Sequence, residues 1–536
     1  MSMKGENSLQ LETPESLLND GQHHGRNVPL PWWEHVPGGT KIKDYFASTS
    51  LHGLKYFSEP SRLVERFYWI IAMVVVYVGL ISSLYDQSKL FLNSPVLMSL
   101  DSSTTPVWDI PFPAVTICSE NQVRPSFFNY SDYKTRTNMT KRELEVFEYL
   151  TMVCDYNATE SGLNFFSTKA LDEVHYDIWD RCSDTLALVW LNNYVPDVCS
   201  MIQPVLTPSG ACHTFNSLPG NRLFRESIFS SLHNYGRQVE SIDDDIIWSP
   251  DRGYRGKKVF NSTPWRIRGG GSGQDATFML NLNVIDFDDT CFFGSHGFEV
   301  ILHSPAELPT PSHPSTYVHA DRATTIKIVP EIKTTKEELR RWDPKLRGCF
   351  FDDERPLQYF QYYTEKNCDL ECESNASLSR CGCVPFYHPR TRDTPVCGPE
   401  KYDCCFESIA ESIDPDSPSF QNCNCLPACF EIEYRISVAN FQRNFSTATA
   451  KGFQSGIFSG NFPENNFALV TVQYQTQKVI AQMRVAVFSF TDFIANIGGL
   501  LGLFLGFSFL SLFEIIYFFV LKYYKKRSNK RTDTDN

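Results

Sequence analysis

The sequence predicts an α+β membrane protein in which two membrane-spanning helices flank one large, disulfide-rich extracellular domain. Three observations predict it. Two apolar runs, residues 67–84 and 493–521, stand near opposite ends of the 536-residue chain. All 17 cysteines lie between Cys118 and Cys429. The N-glycosylation sequons at Asn129, Asn138, Asn157, Asn261, Asn375 and Asn444 fall inside the same interval. A net charge of −13 with 42% hydrophobic residues speaks against a nucleic-acid binder and against a disordered chain. A mean hydropathy of −0.27 excludes a polytopic membrane protein, but not two spans attached to a polar domain.

The first run reads FYWIIAMVVVYVGLISSL and carries no charge. As a helix it is ~27 Å long, against a hydrocarbon core of ~30 Å. No apolar signal-peptide core precedes it, so this span must itself direct insertion. Trp32-Trp33 in the leading tail reads equally as a membrane-surface pair or a docking site. Arg62 and Arg66 precede the first span, and Lys522, Lys525, Lys526, Arg527, Lys530 and Arg531 follow the second. The positive flanks place both termini in the cytoplasm. The organisation expected is therefore a cytoplasmic region over 1–66, a span over 67–84, an extracellular domain over 85–492, a second span over 493–521 and a basic tail over 522–536.

An oxidising compartment makes the cysteines a disulfide framework. Cys368 and Cys372 are four apart, on one face of a helix with ~6 Å of rise between them. Cys423 and Cys425 are two apart, on one face of an extended segment with ~6.6 Å between them. The distances match, so antiparallel rungs Cys372–Cys423 and Cys368–Cys425 clamp a helix to a strand. The rival reading is zinc, held by Cys381-x-Cys383 and Cys404-Cys405, although the spacing is not that of a standard finger. No metal, cofactor or nucleic-acid partner is expected.

The second run is too long for a simple span. As continuous helix it measures ~43 Å, so the excess must be tilt, a break or non-helical backbone. Gly498, Gly502 and Gly506 recur every four residues and would line one helix face. Small-residue helix packing is the plain reading of such a stripe. Gly506-Phe507-Ser508 adds a hydroxyl and unshielded backbone, whose carbonyls can replace a small cation's water shell. Glu514 lies two turns beyond Gly506, on roughly the same face, and is either a cation-attracting group or an interfacial carboxylate. The glycine-rich residues 269–273 lack the Lys-Ser/Thr of a phosphate-binding loop and read as a surface loop. Neither HExxH nor GxSxG occurs, and no nucleophile–base pair points to an enzyme.

Four ordered motifs carry a family resemblance. Phe112-Pro-Ala-Val-Thr-Ile-Cys118 resembles the segment just outside the first span of the degenerin/epithelial sodium channel family. His52-Gly53 looks like its cytoplasmic gating motif. Gly210-Ala-Cys-His-Thr-Phe-Asn216 is similar to its GxCYTFN segment. Residues 496–508 resemble its second-span signature ending in a Gly-x-Ser filter. The wording is most like the insect pickpocket branch.

The resemblance implies a trimer, homomeric or with related subunits. Each subunit has a β-sheet palm and a helical thumb. Residues 335–347 and 356–372 read as the thumb helices, with Pro344 breaking the first. It also implies the pairs Cys118–Cys212, Cys182–Cys199, Cys349–Cys429, Cys368–Cys425, Cys372–Cys423, Cys383–Cys397 and Cys381–Cys405 (or Cys404). Cys154, Cys291 and one of Cys404 and Cys405 are left over, so at least one is free or intermolecular. Ala495 occupies the position where the family carries a small residue that keeps the closed gate packed.

A plasma-membrane cation channel subunit follows from the resemblance, conducting sodium through Gly498, Gly502, Gly506, Phe507 and Ser508. Amiloride sensitivity follows too, with gating by a chemical or mechanical stimulus through an extracellular ligand or matrix tether. The alternatives are a two-span receptor of another type, such as one for extracellular ATP, and a non-conducting accessory subunit.

Overall fold

The computed structural model describes residues 39–58, 63–92, 96–154, 165–166, 171, 182–191, 193–195, 198–226, 247–255, 264–271, 273–291, 296–414, 416–418, 423–442 and 467–521. Trp32-Trp33, the basic tail, and the sequons at Asn157, Asn261 and Asn444 lie outside them. The chain forms two units, Pro95–Val487 and the two terminal segments Met1–Ser94 and Phe488–Asn536.

In Pro95–Val487 the strands in chain order are β1 (Val96–Pro106), β2 (Ala114–Ser119), β3 (Leu186–Leu191), β4 (Asn193–Val195), β5 (Ile202–Thr207), β6 (Gly210–Phe215), β7 (Ala276–Asn281), β8 (Gly297–His303), β9 (Ser315–His319), β10 (Arg322–Thr335), β11 (Glu431–Gln442), β12 (Phe467–Tyr474) and β13 (Lys478–Ala486). One sheet has the order β1-β13-β10-β12-β7-β3-β4, with β11 also pairing β10. The other is the antiparallel series β9-β8-β2-β6-β5. In β10, Thr324, Ile326, Ile328 and Ile332 are buried, and the alternation faces one side of the strand to the core. Those isoleucines join Phe278, Val470 and Tyr474 of the first sheet and Val115, Ile117, Phe298 and Val300 of the second in one apolar cluster.

Two of the sequence motifs meet in this core. Phe112 is fully buried, with its ring edge-on to those of Trp265 and Tyr474. Asn216 ends its motif at φ 65°, a left-handed conformation that asparagine tolerates better than most residues. Its side-chain amide donates to the Phe112 carbonyl at 2.6 Å and its oxygen accepts from the Trp265 N–H at 2.5 Å. Cys118 and Cys212 are directly opposed on β2 and β6, bonded, with Cα atoms 4.4 Å apart. Below them Thr116 Oγ1 lies 2.7 Å from Thr214 Oγ1 and 2.8 Å from His303 Nε2. His303 Nδ1 faces the Ser304 carbonyl at 3.0 Å, so Nδ1 carries the proton and Nε2 accepts from the threonine hydroxyl. Burial pushes the His303 pKa down to about 3, and the imidazole is neutral.

The helical part differs from expectation. Residues 335–347 form no long helix. Thr335 ends β10, Glu337–Arg341 is a 3-10 turn, and Pro344–Arg347 is a single turn with Asp343 as its N-cap and Pro344 at its start. Residues 356–364 are not helical either, because Tyr359, Phe360 and Tyr363 turn into a second apolar cluster. The helix runs instead over Glu365–Cys381, from a Thr364 N-cap that accepts from Asn367 N–H to Gly382 at φ 76°. A second helix, Tyr402–Ile413, lies beside it.

The ladder joins Cys368 to Cys425, Cys372 to Cys423, Cys349 to Cys429 and Cys383 to Cys397. Cys182 is bonded to Cys199. Two expectations are corrected. Cys381 bonds Cys404, not Cys405, because neighbouring residues on a helix point about 100° apart and only one can face Cys381. Cys154 bonds Cys291, so neither is left over, and the odd sulfur of the seventeen belongs to the group Cys383, Cys397 and Cys405, whose sulfurs lie within 4.8 Å of one another.

Cys372→Ser removes a cross-link between positions 51 residues apart and leaves Cys423 without its partner. A loss of about 3–4 kcal/mol of cross-link stabilisation is expected. Surface delivery falls, and the Cys372→Ser/Cys423→Ser double variant fares no worse than either single one. Clearly additive losses in a surface-biotinylation assay would contradict the pairing.

Candidate pore and gating site

In the terminal unit the helices are α1 (Gly39–Ser48), α2 (Lys55–Ser58), α3 (Leu63–Leu92), α4 (Phe490–Leu505) and α5 (Phe509–Ile516). The helix α3 exceeds the expected span at both ends. It is the single helix among the described residues long and apolar enough to cross a membrane unaided. The second candidate span is α4 together with α5 and its continuation to Val520, bent by 68° at the break between them. Of the three ways to absorb its excess length, the chain uses the break.

The residues Gly506, Phe507 and Ser508 make that break for local reasons. Gly506 takes φ 63° and caps α4, its N–H donating to the Gly502 carbonyl at 2.8 Å. The Phe507 N–H reaches the Leu501 carbonyl at 3.2 Å. Ser508 then starts α5 as its N-cap. Its Oγ accepts from the Ser511 N–H, and Ser511 Oγ accepts from the Ser508 N–H at 3.1 Å. A helix stop is followed at once by a helix start, with Gly506 left-handed and Ser508 extended between the two helices.

This geometry ends the glycine stripe. Gly498 and Gly502 lie within α4, and Gly506 caps it, still making the helical bond to the Gly502 carbonyl while its left-handed φ turns the chain away beyond it. A side chain at Gly498 would meet nothing within 4 Å, and Ala495 and Gly498 are exposed in the single chain. Glu514, on the far side of the break, is not in helical phase with the stripe.

The His52-Gly53 turn lies against the break. The His52 N–H donates to the Leu505 carbonyl at 2.9 Å. Its ring lies so close to Gly506 that an added Cβ would stand 2.7 Å from Cε1. Gly53 takes φ 85°, and a Cβ there would approach Met73 Sδ to 2.6 Å, so α3 closes the other side of the turn. Ser50 was not singled out by its sequence. Its N–H and Oγ donate to the Glu514 carboxylate at 3.3 and 2.9 Å, and its Oγ lies 3.1 Å from Ser511 Oγ. The segment before the first span therefore touches α3, the break and α5 at once. Ser511, three residues after Ser508, is the legible part of this network, because a polar residue at that spacing is a capping-box signal.

At the other end, α4 begins on a Ser489–Asp492 capping box. Phe493 stacks on Phe91 of α3 with ring centroids 4.5 Å apart. Midway, Gly79 of α3 leaves room for the Phe504 ring, which a Cβ would approach to 3.2 Å.

The unit Pro95–Val487 holds carboxyl groups that titrate far from their ordinary range. Glu120 rises to about 7, through burial and the nearby Glu299 carboxylate. Asp251 rises to about 7 through burial and a side-chain hydrogen bond to Asp352. Asp369 also rises to about 7, through burial and Glu365. A raised carboxyl binds its proton more tightly folded than unfolded. Its contribution to stability is full below the unfolded value and is lost as pH rises through 7. His213 and His303 act oppositely below about 6.5, so a single substitution isolates one group. Glu120→Gln stays neutral, and its melting temperature should gain on the parent at pH 8 relative to pH 5.5. A pH-independent difference would mean that Glu120 titrates normally.

Comparison with known proteins shows the family. The model of the amiloride-sensitive sodium channel family matches residues 45–518, from before the His-Gly turn to beyond the break. Pickpocket protein 28 of Drosophila melanogaster is 30% identical over 496 residues, covering 90% of this chain and 78% of that protein. Pickpocket protein 11 of the same fly is 24% identical, covering 89% and 75%. The human bile acid-sensitive ion channel is 22% identical, covering 91% and 88%. These relatives are ion channels, not enzymes, and the chain belongs to the amiloride-sensitive sodium channel family.

Proposed function

We propose that the chain is one subunit of a trimeric, sodium-conducting channel of the plasma membrane, blocked by amiloride and opened by an extracellular chemical or mechanical stimulus. Both termini lie in the cytoplasm, and the unit Pro95–Val487 lies outside, where the exposed Asn138 and Asn375 accept glycans together with Asn129, Asn157, Asn261 and Asn444. The trimer forms with copies of the chain or with related subunits, surrounded by lipid, and the stimulus arrives through a ligand or a matrix tether. The observation that carries this reading is the interrupted second span. Backbone that leaves helical geometry within a membrane is tolerated where it lines a water-filled path or is buried in protein.

Three such breaks around an axis bring Gly506, Phe507 and Ser508 of each subunit to the narrowest ring. Carbonyls and the Ser508 hydroxyl there replace part of the water shell of sodium. Phe507 packs away from the lumen, since three inward phenyl rings would block it. Glu514, held by Ser50, sets the charge on the cytoplasmic side. His52 and Gly53 couple the segment before the first span to the break, so a movement of either span is felt at the filter.

The test is current from cells expressing the chain alone, and with a related subunit, in external sodium and then potassium. Sodium preference and amiloride block are expected. Ser508→Cys should then confer block by cadmium or change the sodium/potassium ratio. Conductance, selectivity and cadmium response all equal to the parent's would remove Ser508 from the permeation path.

A further inference from the structure

We propose that Cys405 is an internal nucleophile that exchanges the Cys383–Cys397 disulfide for a Cys397–Cys405 one, and that this exchange shifts the helix Tyr402–Ile413. Seventeen cysteines cannot all be paired within one chain. The odd sulfur sits in a cluster where Cys381, Cys383, Cys397 and Cys405 are buried and Cys404 packs against them. Cys381 and Cys404 are bonded to each other. The sulfurs of Cys383, Cys397 and Cys405 all lie within 4.8 Å of one another. One sulfur carries one disulfide, so Cys397 can serve only one of its two neighbours at a time. Cys405 is 4% exposed, which keeps dissolved oxidants and thiols away and leaves the neighbouring disulfide as its reaction partner.

Backbone geometry ranks the two isomers. The Cα atoms of Cys383 and Cys397 are 5.0 Å apart, within the ordinary range of a disulfide. Those of Cys397 and Cys405 are 7.4 Å apart, beyond the usual ~6.8 Å limit. The second isomer therefore requires Tyr402–Ile413 to approach Cys397. The exchange needs no external oxidant. The Cys405 thiolate attacks Cys397 Sγ, the Cys383–Cys397 bond breaks, and Cys383 leaves as a thiolate that takes up the proton Cys405 released. The far end of the same helix carries Ile409, Ser412 and Ile413 into the wall of a cavity of about 400 Å³, opposite Asp369 and Leu370. A shift of the helix therefore changes the shape of that cavity.

The full-length protein in detergent, quenched in acid and unfolded with N-ethylmaleimide present, reports the isomers by peptide mass spectrometry. One label per chain is expected, divided between Cys405 and Cys383. In Cys405→Ser the label disappears. In Cys383→Ser it also disappears, because Cys397 and Cys405 then bond each other. Label confined to one cysteine in the parent, or two labels in Cys383→Ser, overturns the proposal. The parent measurement decides alone if a variant fails to fold.

Discussion

Gly506→Ala should cut macroscopic current about 30-fold or more at normal surface expression. Two costs add at this position. Gly506 holds φ 63°, which costs an alanine roughly 1–2 kcal/mol. The new Cβ would also stand 2.7 to 2.9 Å from three ring atoms of His52, a contact relieved only if the ring or its turn moves. Overpacking of that kind typically costs about 1–3 kcal/mol. Together the two reach about 2–5 kcal/mol, and 1.4 kcal/mol is tenfold in a population. His52→Ala removes the ring but not the backbone strain, so the double variant should recover part of the loss. Full current from Gly506→Ala, or a double variant worse than the sum of the singles, would show that the turn does not rest on Gly506 in the conducting channel.

Gly506 also marks the boundary of what the sequence makes legible. The two apolar runs and the cysteine interval were legible because length, charge and spacing survive any three-dimensional arrangement, whereas His52-Gly53 was picked out only by its resemblance to the family's gating motif. The rungs Cys368–Cys425 and Cys372–Cys423 were legible from the helix side alone, since Cys368 and Cys372 do share a helix face. The strand assumed for Cys423 and Cys425 is absent, because Asn424 between them takes φ 46° and the next strand starts only at Glu431. Arguments from helical phase were not safe. The period-four stripe assumed one continuous helix, and the left-handed cap at Gly506 ends it, moving Glu514 out of phase. The choice between Cys404 and Cys405 depended on the rotation of Tyr402–Ile413 about its axis, which no local residue specifies. Residues 356–364 were expected to be helical from the resemblance, yet their aromatic rings gain more from a buried cluster than from a helix face that would leave some in water. Ser50 was invisible because its partners, Ser511 and Glu514, are more than 460 positions away.

Ala495→Val should produce a standing, amiloride-blockable inward sodium current, with swelling of the cells that express it. Ala495 lies in the first turns of α4, on the far side of Gly498 from the break, and is exposed in the single chain. In the proposed trimer that exposure is what lets three helices converge in the closed state. Valine adds two methyl groups and a β-branch with little rotamer freedom in a helix, so it cannot turn aside. If the overpacking cost of about 1–3 kcal/mol falls on the closed state alone, the closed/open ratio changes by a factor of roughly 5–150. A channel closed 99% of the time at rest would then conduct visibly, on the same order-of-magnitude reasoning. Glycine at the same site adds no bulk, so Ala495→Gly should stay closed at rest and separates steric gating from a general loosening of α4. The opposing reading is that Ala495 faces lipid, where valine is harmless. A valine variant that reaches the surface in normal amounts, yet passes no more resting current than the parent, establishes that reading and moves the gate elsewhere.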